Sequence, residues 1–105
     1  MAMIARIWKG ASRTSDAAAY ERYMLDVALP GYKQVPGNRG TLMLRRDRDD
    51  GRTAFTMITL WEDMAAIRAF AGDEPDQAVF YPEDDRFLVE RDLVVTHHEV
   101  YALEL

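Results

Sequence analysis

His97 and His98 are the only histidines of the chain, and an imidazole that titrates near neutral pH is a natural general base. The segment around them, residues 93–103, is rich in apolar side chains and predicts a strand. Adjacent strand residues point to opposite faces of a sheet, so the pair cannot hold one metal ion together without a bulge. We expect at most one of them, preferably His98, to face a site; the alternative for both is a structural or interface role.

Arg6 stands between apolar neighbours in a predicted first strand, residues 3–9. Burying a guanidinium is costly unless it is paired. Glu99 in the last predicted strand is the expected partner, because the first and last strands are neighbours in the element order described below. The alternative to a structural ion pair is that Arg6 anchors an anionic ligand or an enolate.

The composition narrows the classes of function. The 105 residues, 49% of them hydrophobic, suit one globular domain spanning residues 1–105. A formal charge of −5 disfavours nucleic acid and anionic membrane surfaces as partners. The absence of cysteine excludes disulfides and thiolate chemistry. With no secretion signal recognisable at the start, we expect a cytoplasmic protein.

The predicted elements follow the order βαββαβ. Pro30-Gly31 is expected to end the first helix, Asp50-Gly51 to close a hairpin, and Asp63 to cap the second main helix. The acidic run 83–85 fits the charged first turn of a short helix better than a cation site. The expected strands cover residues 3–9, 41–46, 53–61 and 93–103, and the expected helices cover residues 16–29, 63–71 and a few residues after Pro82.

The third predicted strand carries apolar side chains at both parities. Phe55, Met57 and Trp61 share one face of the strand, while Ile58 and Leu60 share the other. A sheet with one wet face would alternate apolar and polar residues, so both faces are expected to be covered. Two helices cover only one face, which predicts that a second copy of the chain covers the other, giving a homodimer.

Three segments carry a resemblance to a known family: Met-Ile-Ala-Arg-Ile-Trp at 3–8, Thr-Leu-Trp-Glu-Asp at 59–63 and Thr-His-His-Glu-Val at 96–100. With the element order, they resemble the antibiotic-biosynthesis-monooxygenase-like family of the dimeric α/β barrel superfamily. The resemblance implies an α+β, ferredoxin-like fold with a four-stranded antiparallel sheet that pairs into a dimeric α/β barrel. It also implies a ligand cleft between sheet and helices, and chemistry that needs no metal or flavin cofactor.

The resemblance gives roles to residues around that cleft. Trp61 would position an aromatic substrate, although a core tryptophan is the simpler reading, and Arg6 or His98 would favour an ionised phenol. Tyrosines at positions 20, 23, 32 and 81 would add hydroxyl groups, although packing explains the first two. The expected catalytic residues are thus His98, Arg6 and Trp61, and the expected substrate-binding residues are Tyr20, Phe70 and Tyr81.

The leading hypothesis is a small-molecule binding protein of this class that acts as a cofactor-independent monooxygenase on aromatic or polycyclic phenols. The alternative is a non-catalytic ligand-binding or structural homodimer, whose cleft would be shallow or filled by Trp61, Phe70 and Phe87. Haem degradation is disfavoured, because this chain differs from the haem-degrading members of the family at three places. The first strand has no asparagine, Phe70 stands where they have a helical tryptophan, and no histidine occurs between residues 61 and 97.

Overall fold

A computed structural model describes residues 3–105 and contains one antiparallel sheet. The sheet order is β2-β3-β1-β4, and β5 pairs with the other end of β1. Four strand positions therefore lie side by side, which confirms the predicted ferredoxin-like α+β class. The strands are β1 (Ile4–Arg13), β2 (Asn38–Asp47), β3 (Arg52–Trp61), β4 (Leu88–Arg91) and β5 (Thr96–Glu99).

The strands differ in length from the sequence prediction. β1 does not break at Gly10 but continues to Arg13, because the glycine lets the Trp8 indole lie against its backbone. Of the predicted last strand, residues 93–103, only β5 is a strand in the structure. Glu99 is opposite Ile4, the first residue of β1, so the chain beyond it has almost no backbone to pair with. The β2–β3 hairpin is confirmed, and Gly51 adopts the positive φ of 80° that its turn requires.

One long helical segment crosses the sheet and consists of α1 (Thr14–Tyr23), a π-helical turn (Met24–Ala28) and α2 (Leu29–Lys33). The prediction that Pro30-Gly31 ends the helix is wrong. In the π turn the Leu29 N–H bonds to the Met24 carbonyl, and Pro30, which has no N–H, occupies the first turn of α2, where none is needed. The wider turn also shifts the helical register, so that Ala28 is buried and Val27 is exposed.

The predicted cap of the second main helix is confirmed. Asp63 accepts a hydrogen bond of 2.8 Å from the Ala66 N–H at the start of α3 (Met64–Ala71), and Gly72, with a φ of 92°, follows its end. The short helix expected after Pro82 is a single turn, α4 (Asp84–Phe87), which precedes β4 and turns Phe87 and Leu88 into the core. Within residues 3–105, no helix has the length and apolar character needed to span a bilayer.

The core lies between the helices and one face of the sheet. Tyr20 packs edge-on against Phe55, with ring centroids 5.0 Å apart, and Trp8 and Tyr32 are buried beside them. The opposite face bears no helix and is also apolar, as predicted. Its aliphatic side chains include Leu42, which is 53% exposed, and Leu44, which is 46% exposed, together with Ile7, Ile58 and Leu60.

Candidate ligand-binding cleft

A cavity of about 30 Å³ lies between the core face of the sheet, the long helical segment and the wall segment, defined as residues 72–83. This volume holds water and is well below the several hundred Å³ typical of small-molecule pockets. Its polar lining includes Arg6, Thr59 and Asp84. Its aromatic lining consists of Trp8, Tyr20, Tyr32, Phe70, Phe80 and Tyr81.

Arg6 enters the cavity from the middle of β1 and is 5% exposed. Its Nη2 donates to the Gln77 carbonyl at 2.8 Å, its Nη1 donates to the Pro75 carbonyl, and the guanidinium lies 5.8 Å from the centre of the Phe70 ring. No ion pair of residues 3–105 includes Arg6. Burial lowers its pKa, and the nearby Tyr32 and Asp76 groups oppose this effect only in part.

The predicted Arg6–Glu99 ion pair is wrong because of the strand register. Arg6 lies opposite His97, whereas Glu99 lies opposite Ile4 near the exposed end of the sheet. The His97 Nε2 is 3.0 Å from the Arg6 Nη1, and its Nδ1 is 3.2 Å from the Asp76 Oδ1. Burial and then the Arg6 charge lower the pKa of His97, so the ring is neutral and accepts the Arg6 hydrogen bond.

His98 does not reach the cleft, which corrects the preference for it over His97. It lies opposite Ala5 on the helix-free face of the sheet, is exposed, and its Nε2 is 2.9 Å from the Thr96 Oγ1. Alternation along β5 allows one histidine on each face, but only the pairing register with β1 decides which one stands beside Arg6. The structure therefore gives no support to a catalytic role for His98.

Trp61 is a core residue with 0% exposure and does not line the cavity. Its indole N–H donates to the Thr59 Oγ1 at 2.8 Å, and its ring packs on Phe70 with centroids 5.1 Å apart. Both contact residues line the cavity. Trp61 thus supports two lining residues from behind, in the position of the core tryptophan that was the simpler interpretation of the sequence.

The three expected substrate-binding residues, Tyr20, Phe70 and Tyr81, do line the cavity together. Tyr32 lies beside two of them. Its ring centroid is 5.7 Å from that of Phe70 and 5.8 Å from that of Tyr81. Burial raises the pKa of Tyr20 and of Tyr32, so both hydroxyl groups stay protonated. The placement of these side chains does not test whether they bind a substrate.

Two lining residues were not identified from the sequence as parts of a site. Trp8 fills the floor and donates from its indole N–H to the Asp92 carbonyl at 2.9 Å. Asp84, only 6% exposed, accepts a hydrogen bond of 2.7 Å from the Tyr81 N–H through Oδ2, and burial raises its pKa. No local pattern distinguishes this carboxylate from its acidic neighbours in the chain.

The acidic run around Asp84 does not form a cation site. Glu83 pairs with Arg86 at 3.7 Å, and Asp85 pairs with Arg91 at 3.0 Å, so the three carboxylates point to different surroundings. Among residues 3–105, no cluster of histidine, aspartate and glutamate side chains has the arrangement of a metal site.

Comparisons with solved structures match the whole architecture. A protein of unknown function from Nitrosomonas europaea is 18% identical, with a TM-score of 0.72, over 100% of this chain and 95% of that one. A "putative antibiotic biosynthesis monooxygenase" from Bordetella bronchiseptica is 17% identical, with a TM-score of 0.67, over 97% of this chain and 100% of that one. The chain has the fold of the antibiotic-biosynthesis-monooxygenase-like proteins.

A third protein with the antibiotic-biosynthesis-monooxygenase-like fold bears on assembly. It is a dimeric ferredoxin-like protein from an uncultured marine organism, 14% identical, with a TM-score of 0.63, over 99% of this chain and 100% of that one. No family model matches the chain, and no curated protein matches it either. The likeness is therefore one of fold, and it confirms the structural part of the resemblance seen in the sequence.

Proposed function

We propose that the chain is a homodimeric binding protein for a small aromatic oxyanion and that the cleft beside Arg6 is its binding site. The observation that carries this proposal is a buried guanidinium among aromatic side chains with no carboxylate paired to it. A buried cation without a counter-ion is costly, and an anionic ligand would remove that cost.

The cavity volume of about 30 Å³ is too small for an aromatic ring, so ligand binding requires the cavity to widen, and movement of the wall segment would allow this. The side chain of Arg6 holds this segment through the Pro75 and Gln77 carbonyls. A carboxylate or phenolate oxygen forms a stronger hydrogen bond to guanidinium than a neutral carbonyl does. Ligand binding at Arg6 would therefore replace the hydrogen bonds to those carbonyls with a hydrogen bond to the ligand oxygen. The wall segment would then be free to move.

Homodimer formation is the second part of the proposal. The helix-free face exposes leucines at positions 42 and 44, and a protein of the same fold is dimeric. A second copy packed against this face would remove the apolar surface from water at about 25 cal/mol per Å². A two-fold symmetric dimer would pair this apolar face with the identical apolar face of a second copy.

The chemistry that we propose after binding is direct oxygenation of an ionised aromatic phenol by O2. One oxygen atom becomes a carbonyl of the quinone product, the other leaves as water, and the phenol itself supplies the electrons. Arg6 would stabilise the phenolate, and the aromatic side chains that line the cavity would exclude water from it. Residues Tyr20, Phe70 and Tyr81 would hold the ring. His98 has no part in this scheme, and the neutral imidazole of His97 takes its place as the partner of Arg6.

The binding proposal is tested by calorimetric titration with benzoate, phenol and the uncharged analogue benzamide. We expect benzoate to bind and benzamide to bind at least tenfold more weakly, because hydrogen bonds between charged groups are the stronger ones. Arg6→Met should abolish this difference, whereas Arg22→Met, at an exposed position of α1, should leave it intact. Equal affinities for benzoate and benzamide in the unmodified protein would refute the role of Arg6.

Oxygen uptake with polycyclic phenols and quinols tests the chemical step separately. Uptake that exceeds the uncatalysed rate and falls in Arg6→Met would support a monooxygenase. A protein that binds benzoate but accelerates no uptake would be the non-catalytic alternative. The small volume of the cavity is the observation that favours that alternative.

A further inference from the structure

Asp84 is a buried carboxylate whose structural role uses only one of its two oxygens. Oδ2 accepts the Tyr81 N–H at 2.7 Å, and no hydrogen bond within residues 3–105 uses Oδ1. An asparagine or serine would cap the same N–H without burying a charge. Burying the Asp84 carboxylate thus costs more free energy than accepting the Tyr81 N–H requires.

The second oxygen has no partner and is not fully enclosed. Asp84 lines the cavity, and it is not among the described side chains that have a fully buried polar atom without a partner. Its Oδ1 therefore keeps some accessible surface, on a residue that lines the cavity. Close to it lie the Tyr20 and Tyr32 rings, whose phenol groups are affected by the Asp84 charge.

Arg6 and Asp84 line the same cavity but come from different parts of the fold. Arg6 lies where β1 pairs with β5, whereas Asp84 precedes β4, which pairs with Gly10, Ala11 and Ser12 further along β1. No ion pair connects the two side chains. The cavity lining therefore contains a cation that can attract an anion and, separately from it, a carboxylate that can accept a hydroxyl hydrogen bond, together with aromatic rings.

We propose that the Asp84 carboxylate binds a hydroxyl group of the ligand, so that the cleft selects aromatic compounds carrying an oxyanion at one end and a free hydroxyl at the other. This inference rests on the proposed function, because it requires the cleft to bind an aromatic oxyanion at Arg6. It adds a specificity-determining residue and narrows the ligand class to hydroxylated aromatic acids and polyphenols.

The test compares 3- and 4-hydroxybenzoate with the corresponding methoxybenzoates by calorimetric titration. A methoxy group keeps the oxygen but cannot donate to Asp84. We expect at least one hydroxybenzoate to bind the unmodified protein roughly tenfold to a hundredfold more tightly than its methoxy counterpart, the range for a hydrogen bond to a charged group.

Asp84→Asn is the decisive variant, because its amide oxygen can still accept the Tyr81 N–H. We expect it to reduce the hydroxyl preference to below about threefold, while the affinity for methoxybenzoate stays within about threefold of the unmodified value. Asp85→Asn, at the neighbouring exposed carboxylate, is the matched control and should keep the preference. An unchanged preference in Asp84→Asn would overturn the inference while leaving the binding proposal standing.

Two further outcomes are distinguishable. If neither hydroxybenzoates nor methoxybenzoates bind the unmodified protein, the proposed function and this inference fall together. If Asp84→Asn does not fold, the carboxyl ¹³C resonance of Asp84 is followed in the unmodified protein. A shift with hydroxybenzoate but not with methoxybenzoate supports the inference, and no shift with either, although both bind, overturns it.

Discussion

At the scale of single residues, the cleft depends on one chain of polar contacts. Asp76 contacts the His97 Nδ1, and the His97 Nε2 accepts from Arg6, which in turn holds the wall segment through the Pro75 and Gln77 carbonyls. The imidazole can accept this bond only while it is neutral. The position of the wall segment is thereby linked to the protonation of His97.

This link predicts a pH dependence of stability. Because the pKa of folded His97 lies below its ordinary value, the unfolded chain binds more protons between the two values. The stability due to neutral His97 is thus present above the unfolded pKa of about 6.5 and is lost as pH falls through the lower folded pKa. We expect the melting temperature to fall by more between pH 7.5 and pH 5 in the unmodified protein than in His97→Gln, whose amide oxygen still accepts from Arg6.

His98→Gln is the control for this measurement, because His98 lies on the other face and does not contact Arg6. Carboxylates titrate in the same range, so the comparison between variants matters rather than the absolute decline. Parallel melting profiles for the unmodified protein and His97→Gln would show that His97 does not control this part of the stability.

At the scale of elements, close packing at Gly10 accounts for the continuation of β1 past that residue. A Cβ at Gly10 would lie 2.4 Å from the Trp8 Cη2 and 3.0 Å from the Glu90 carbonyl oxygen. Neither the buried Trp8 indole nor the β4 backbone can easily move away from a Cβ at position 10. Gly31, in contrast, has no atom near the Cβ position and no positive φ.

These two glycines make a matched pair. We expect Gly10→Ala to lower the free energy of unfolding by about 1–3 kcal/mol, the usual cost of overpacking. Gly31→Ala should raise it by about 0.5–1 kcal/mol, since alanine loses less backbone entropy in a helix. Urea denaturation monitored by circular dichroism measures both, and equal effects of the same sign would contradict this account of β1.

At the scale of the whole molecule, the exposed aliphatic face sets the expected assembly. Leu44→Asp places a charge in the proposed interface, where it must lose its hydration. We expect the dimer dissociation constant to rise by roughly a hundredfold, as measured by sedimentation velocity over a range of concentrations.

Leu25→Asp is the control for the assembly, because Leu25 is also exposed, at 67% against 46% for Leu44, but belongs to the helical side of the sheet. It should leave the dissociation constant unchanged. Sedimentation of the unmodified protein at the mass of a single chain at micromolar concentration would remove the basis for a dimer.

The sequence by itself determined the class of fold, the β2–β3 hairpin, the α3 cap and the two apolar faces of the sheet, because these depend on alternation and turn chemistry within short segments. The helical path through Pro30 was also encoded, in the four-residue steps that connect Tyr20, Met24, Ala28 and Tyr32, although the proline obscured it. Local patterns therefore predicted most of the elements and the aromatic side chains that line the cleft.

Only the tertiary structure decided which polar groups meet in the cleft. The pairing register of β5 with β1 placed His97, not His98, beside Arg6 and moved Glu99 away from it. The turn at α4 selected Asp84 from three consecutive acidic residues for burial. Register and burial depend on contacts between segments far apart in the chain, so residue types and spacing alone do not specify them.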